Sequence, residues 1–171
     1  CLLFANARYC LDHTAPTETL NTPADLAAWA KAPSPPSQKE FEGALELRET
    51  VHRLFDTVAQ GKAPASRDFE ALNAALAAAP ARTVLKRGRE AFEWELDMRS
   101  GTALALLAPV LWSAGDLLAS GRLGKVRRCA NPECLYLFFD ESRAGKRRWC
   151  TMSSCGNRAK ARRHYNKSRQ A

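Results

Sequence analysis

Four cysteines do most to limit how this chain can fold. They fall as Cys129-x4-Cys134 and Cys150-x4-Cys155, two equal short spacings with fifteen residues between them. Equal pairs around an insert of hairpin length are the pattern of one tetrahedral site with four thiolates on Zn²⁺. The last fifty or so residues hold few large apolar side chains, too few to bury a stable core unaided. A metal replaces that core, and its binding supplies about 10–16 kcal/mol of apparent folding free energy. Asn131-Pro132 inside the first pair signals a tight turn. Gly156 directly follows the last cysteine, where the missing side chain is expected to let backbone amides approach sulfur.

Other uses of the four cysteines fit less well. Two disulfides would suit a secreted, cysteine-dense small domain, and the opening stretch "CLLFANARYC" lacks a basic segment and a cleavage site. A catalytic zinc keeps an open position and often a histidine ligand. The only histidine in this half, His164, lies nine residues past Cys155 and reads as a surface residue. A redox pair would show C-x-x-C. Cys1 and Cys10 have no partner spacing and are expected to be small buried apolar residues.

Charge divides the 171-residue chain at the same place. Residues 1–120 carry 12 Lys+Arg and 15 Asp+Glu, and residues 121–171 carry 14 and 3, a net of −3 against +11. Arg128, Arg147, Arg148 and Arg158 stand near the cysteines and can offset the −2 of a Zn(Cys)₄ centre. The excess points to a polyanionic partner, nucleic acid before an anionic membrane. The longest apolar run, residues 103–112, is too short to span a bilayer and contains a proline.

Residues 1–124 read as a mostly helical domain with one small β-hairpin. Thr22, Pro23 and Asp25 form a helix start, "APSPPS" a stiff linker, and Ser37 with Glu40 a second start. Phe41, Leu45, Leu47, Val51, Leu54, Phe55 and Val58 make that second helix's apolar side, and Gly61 ends it. A third helix runs from Ser66 to a stop at Pro80. The period then becomes two in "EAFEWELD" (90–97), predicting a half-buried strand with Phe92, Trp94 and Leu96 inward. Its expected partner is 81–86, joined through 87–89. A helix from Thr102 to about Ser120 follows, with a kink or fresh start at Pro109. "SGRLG" (120–124) marks the domain boundary.

Residues 125–171 read as knuckle, hairpin, knuckle and helix, the order of a treble-clef or zinc-ribbon finger. The hairpin is expected to pair 135–139 with 146–149 through a turn at 140–145, where Asp140-Glu141 needs no role. The fold class is therefore α+β, with the finger ending in a basic helix. On that helix Arg158, Arg162, Tyr165 and Arg169 share one stripe. Lys160, Arg163 and Lys167 share the next. With Lys146, Arg147 and Arg148 on the hairpin, these cations are the candidate nucleic-acid contacts, to phosphates and to one or two base edges. Asn157 is expected to make a local turn bond rather than read adenine. Tyr136, Phe138, Phe139 and Tyr165 leave RNA stacking open, though residues 137–139 fit better as the finger's core.

The stretch "CANPECLYLFFDESRAGKRRWCTMSSCGNRAKARRHY" resembles the CGNR zinc finger family, whose name is spelled at Cys155-Gly156-Asn157-Arg158. The upstream part is similar to the ABATE domain that precedes this finger in bacterial proteins, through "FAN" (4–6) and "ETLNTPADLAAW" (18–29). The resemblance implies a DNA-binding, stress-linked transcription regulator that is cytoplasmic and nucleoid-associated, with one structural zinc ion. No catalytic motif is visible, so no enzyme activity is expected. Three further roles stay open. The N-terminal part could sense a small molecule, with Trp29, Trp94 and Trp112 around a pocket or, more simply, in the core. The finger could be a protein-interaction module, and the chain could be a homodimer. The acidic face of Glu93, Glu95 and Asp97 is expected to be solvated, with contact to the basic module as the sharper alternative.

Overall fold

The computed structural model describes residues 1–8, 17–96 and 101–169. Short α1 (Leu2–Ala5) leads to α2 (Pro23–Ala30), α3 (Gln38–Ala59) and α4 (Ser66–Ala78). Hairpin strands β1 (Leu85–Arg87) and β2 (Phe92–Trp94) precede α5 (Ala103–Ala119). Strands β3 (Val126–Arg128) and β4 (Leu137–Phe139) and the final helix α6 (Asn157–Ser168) complete the order. Cys10, Asp97 and the side chain of Lys167 lie outside the described residues.

Local chemistry starts the helices as expected. Thr22 with Asp25 and Ser37 with Glu40 each form a reciprocal capping box, so two exposed backbone N–H groups are satisfied at each start. Thr102 caps α5, which runs through Pro109 as one helix. α3 is the central element and packs against α1, α4, α5, β3 and β4. Its Val51, Leu54 and Phe55 are fully enclosed with Phe4, Leu26, Leu72, Leu107 and Leu111. Val126 of β3 and Leu137 of β4 belong to the same core. The finger's first hairpin is thus built onto the helical layer.

Two strand expectations need correction. β1 and β2 pair antiparallel with Leu85 opposite Trp94, but every residue of both strands is exposed, Phe92 by 74%. Alternation identified the pairing, while no element covers the apolar side. The turn sits at Gly88–Ala91, where the Gly88 amide donates to the Ala91 carbonyl. A Cβ on Gly88 would lie 2.7 Å from that oxygen, so the turn needs glycine.

The second correction is in the finger. β4 pairs with β3, Val126 opposite Phe139, and not with residues 146–149. The reason is that both edges of β4 are taken. One faces β3, and on the other the Asn6 side chain donates to the Leu137 carbonyl (2.7 Å) and accepts from its amide (2.9 Å). Residues 146–149 have no free edge and form a loop, tied by the Ala130 amide to the Arg148 carbonyl (2.8 Å).

Cys1 is only partly buried. The tryptophans do not share a pocket. Trp29 packs on Phe4 at 5.3 Å, while Trp94 and Trp112 flank the Arg82 guanidinium at 5.7 Å each. Glu93 and Glu95 are exposed. No helix among the described residues is long and apolar enough to cross a membrane.

Candidate metal centre and its basic surround

The first cysteine pair sits in the loop between β3 and β4. Cys129 closes the ladder by donating its amide to the Tyr136 carbonyl (2.9 Å). The Cys134 amide turns back to the Asn131 carbonyl (3.0 Å), the tight knuckle expected of Asn-Pro. Leu135 follows in the left-handed region, φ +54°, a strained geometry for a residue with a branched side chain. His52 Nε2 meets the Leu135 carbonyl at 3.0 Å and holds that conformation in place.

The second pair reaches the site through the start of α6. Thr151 Oγ1 accepts from the Ser154 amide, and one wide π-type turn, Met152–Gly156, carries Cys155 into the cluster. The Gly156 amide donates to the Thr151 carbonyl rather than to a sulfur. Asn131 contacts sulfur instead: its amide lies 3.6 Å from Cys155 Sγ. Asn157 makes the expected local bond, to the Ser153 carbonyl.

The four sulfurs of Cys129, Cys134, Cys150 and Cys155 are buried and all within 4.8 Å of one another. Cys134 and Cys150 Sγ are 3.7 Å apart. Zn–S bonds of about 2.3 Å arranged tetrahedrally put sulfurs about 3.8 Å apart, so the donor set fits one zinc ion. A disulfide needs about 2.05 Å, and these cysteines are free thiols. The four can hold one structural Zn²⁺, with no fourth position left for a substrate.

The groups around the sulfurs push Cys129 one way and Cys134 and Cys150 the other. The Cys134 thiol donates to Cys129, which together with the Asn131 and Cys150 amides pulls the Cys129 thiol down to about 4. Cys134 is pushed up by giving that hydrogen bond, and burial and the charge on Cys129 push Cys150 to about 12. A divalent cation lets all four become thiolates.

The arginines expected to offset that charge have separate partners. Arg128 pairs with Asp56 of α3 at 3.3 Å. Arg147 stacks over Phe138 at 4.4 Å and donates to the carbonyls of Trp149 and Cys150. Arg148 lies over Trp149 at 5.3 Å, and Arg158 donates to Ser154 Oγ at 3.1 Å. Asp140 does have a role: buried at 1% exposure, it accepts from the Ser142 amide and hydroxyl and from the Arg147 amide. Those bonds hold its carboxyl below the usual range and fold the 140–147 loop.

On α6, Arg158, Arg162 and Arg163 turn toward the first knuckle. With Arg148 they border a groove of about 250 Å³. Lys160, His164, Tyr165 and Arg169 are exposed, as is Lys146 on the loop. Sequence reasoning missed Asn6, His52 and Arg48. Arg48 is 3% exposed and makes a two-pronged pair with Glu18 at 2.6 and 2.7 Å. The "FAN" stretch was the one available signal for Asn6.

Fold and site together define a helical protein that carries a C-terminal four-cysteine zinc finger. Two family comparisons match it. The ABATE model, described as "Putative stress-induced transcription regulator", matches residues 1–121, and the CGNR zinc finger model matches residues 125–168. The chain belongs to the ABATE family and ends in a CGNR zinc finger. No curated protein matches it.

Proposed function

We propose that this protein is a DNA-binding transcription regulator whose zinc finger contacts the nucleic acid. The observation that carries this reading is the convergence of Arg148, Arg158, Arg162 and Arg163 along one groove of a region with net charge +11. Lys146, Lys160 and Arg169 add phosphate contacts around it, whereas Arg147 serves the finger internally. The description of the ABATE family supports the regulatory half of the reading. The helical part then sets the finger's position and takes the regulatory input, and the chain acts by binding rather than by catalysis.

The test is binding of zinc-loaded protein to random duplex DNA across a salt series. About five phosphate contacts give a slope of log K against log salt of about −4 to −5. A strong chelator should abolish binding. A flat salt curve, or chelator-insensitive binding, would remove the reading. RNA of matched length is the comparison arm.

A further inference from the structure

The groove beside α6 has features that a phosphate-binding surface alone does not need. Its walls are the Asn131-Pro132 turn on one side and α6 on the other, with Trp149 partly buried between them. Asn131 is fixed by its bonds to Cys155 Sγ and to the Glu133 amide, so the knuckle wall is rigid. Among the described residues, no carboxylate lines the groove. Four guanidiniums against the −2 of a zinc–thiolate centre leave a net positive site. Arg162 meets no hydrogen-bond or ion-pair partner among the described residues, and neither does the Trp149 indole N–H. Arg163 spends only its Nε, on the Ala159 carbonyl.

Resting on the nucleic-acid reading above, we infer that this groove holds one unpaired nucleotide of a DNA strand, its phosphate on Arg162 and Arg163 and its base against Trp149. Base-paired nucleotides hide their faces in the stack, so an indole recessed between two walls meets a base only where the strand is open. A volume of about 250 Å³ suits one nucleotide. Arg148 lies over the indole at 5.3 Å and gives way to the base, its guanidinium then adding cationic contact to the same site. Both strand states carry phosphates and bind the finger's cations, and the groove adds preference for the open strand.

The test uses the zinc-loaded full chain with a labelled 12-nucleotide single strand and the duplex of the same sequence, at one salt concentration. The parent should bind the single strand about fivefold or more tightly than the duplex. Trp149→Leu should weaken single-strand binding about tenfold, the scale of one base–aromatic stack, and leave duplex binding within about twofold. Trp149→Phe should restore most of the loss. Trp149 also touches the cysteine cluster, so zinc content and melting of each variant are measured alongside. Arg162 has no hydrogen-bond or ion-pair partner to lose among the described residues, so Arg162→Ala should weaken single-strand binding about fivefold, and duplex binding less, with a melt like the parent's. Duplex preference, or equal losses on both DNA forms in the Trp149→Leu variant, would overturn the nucleotide site and leave the DNA-binding reading standing. Absence of binding to either form would overturn both.

Discussion

Asn6 and Leu137, 131 residues apart, exchange two hydrogen bonds as if they were neighbours in a sheet. The amide of Asn6 donates to the Leu137 carbonyl, and its oxygen accepts from the Leu137 N–H. One side chain from the residue that caps α1 thereby takes the place of a third strand beside β4. His52 extends the same edge two residues upstream at Leu135, and Asp56 grips Arg128 on β3. The helical layer holds the finger by its backbone.

Asn6→Ala should therefore weaken the fold from both sides of one peptide. The Leu137 N–H and C=O are buried, and each unpaired group costs about 1–3 kcal/mol. Asn6→Asp should be no better, since a carboxylate oxygen would then face the Leu137 carbonyl. Urea unfolding of zinc-loaded protein checks this. An Asn6→Ala variant as stable as the parent would refute the strand-substitute role.

His52 predicts a pH dependence of known sign. Burial pushes its imidazole below the ordinary histidine range, against the smaller raising effects of the Leu135 carbonyl, Asp56 and Glu49. In the native state it stays neutral to lower pH than in the unfolded chain. Its contribution is fully present above about pH 6.5 and is lost as pH falls from there toward the native value. Cysteine protonation adds its own loss in acid, so the readout is the difference between parent and His52→Gln. That difference in unfolding free energy, measured from pH 8 to 5.5, should narrow as pH falls. A difference constant over the range would count against a neutral buried His52.

What could be read from the sequence follows the reach of each interaction. The capping boxes at Thr22 and Ser37 close within three residues, so local chemistry announced them. The zinc site was legible because sulfur chemistry and spacing leave few alternatives. Asn6, His52 and the Arg128–Asp56 pair were not, because their partners lie 131, 83 and 72 residues away. The same blindness explains the false return strand at 146–149. Pairing neighbours in sequence is a fair default, but Asn6 already held the open edge. Alternation in 92–96 identified a strand and said nothing about whether anything would cover it.

The exposed β1–β2 hairpin is tied to the body through Arg82. That guanidinium makes a two-pronged pair with Asp116 of α5 at 2.6 and 2.8 Å and lies between Trp94 and Trp112. An isolated two-stranded hairpin is marginal in water. Arg82→Ala should leave global stability within about 1 kcal/mol, as for most surface pairs. It should also markedly speed amide exchange at Gly88 and Glu95, whose N–H groups close the hairpin. Unchanged exchange at those two amides would show that the hairpin holds itself.

Zinc removal should be felt well beyond the finger. Val126 and Leu137 share one core with Leu54, Phe55 and Leu107, and β3 and β4 both lie against α3. Cys155→Ser, or a strong chelator, takes away the constraint that holds the β3–β4 loop closed. The core then loses two buried aliphatic residues, each worth about 1.5–3 kcal/mol. Melting temperature should fall by about 10 °C or more. Hydrogen exchange should show protection lost in α1 and in the second half of α3 as well as in residues 125–168. The two parts would then unfold as one unit with the metal present. Loss of protection confined to 125–168, with α1 and α3 unchanged, would show instead that the helical layer stands without its finger.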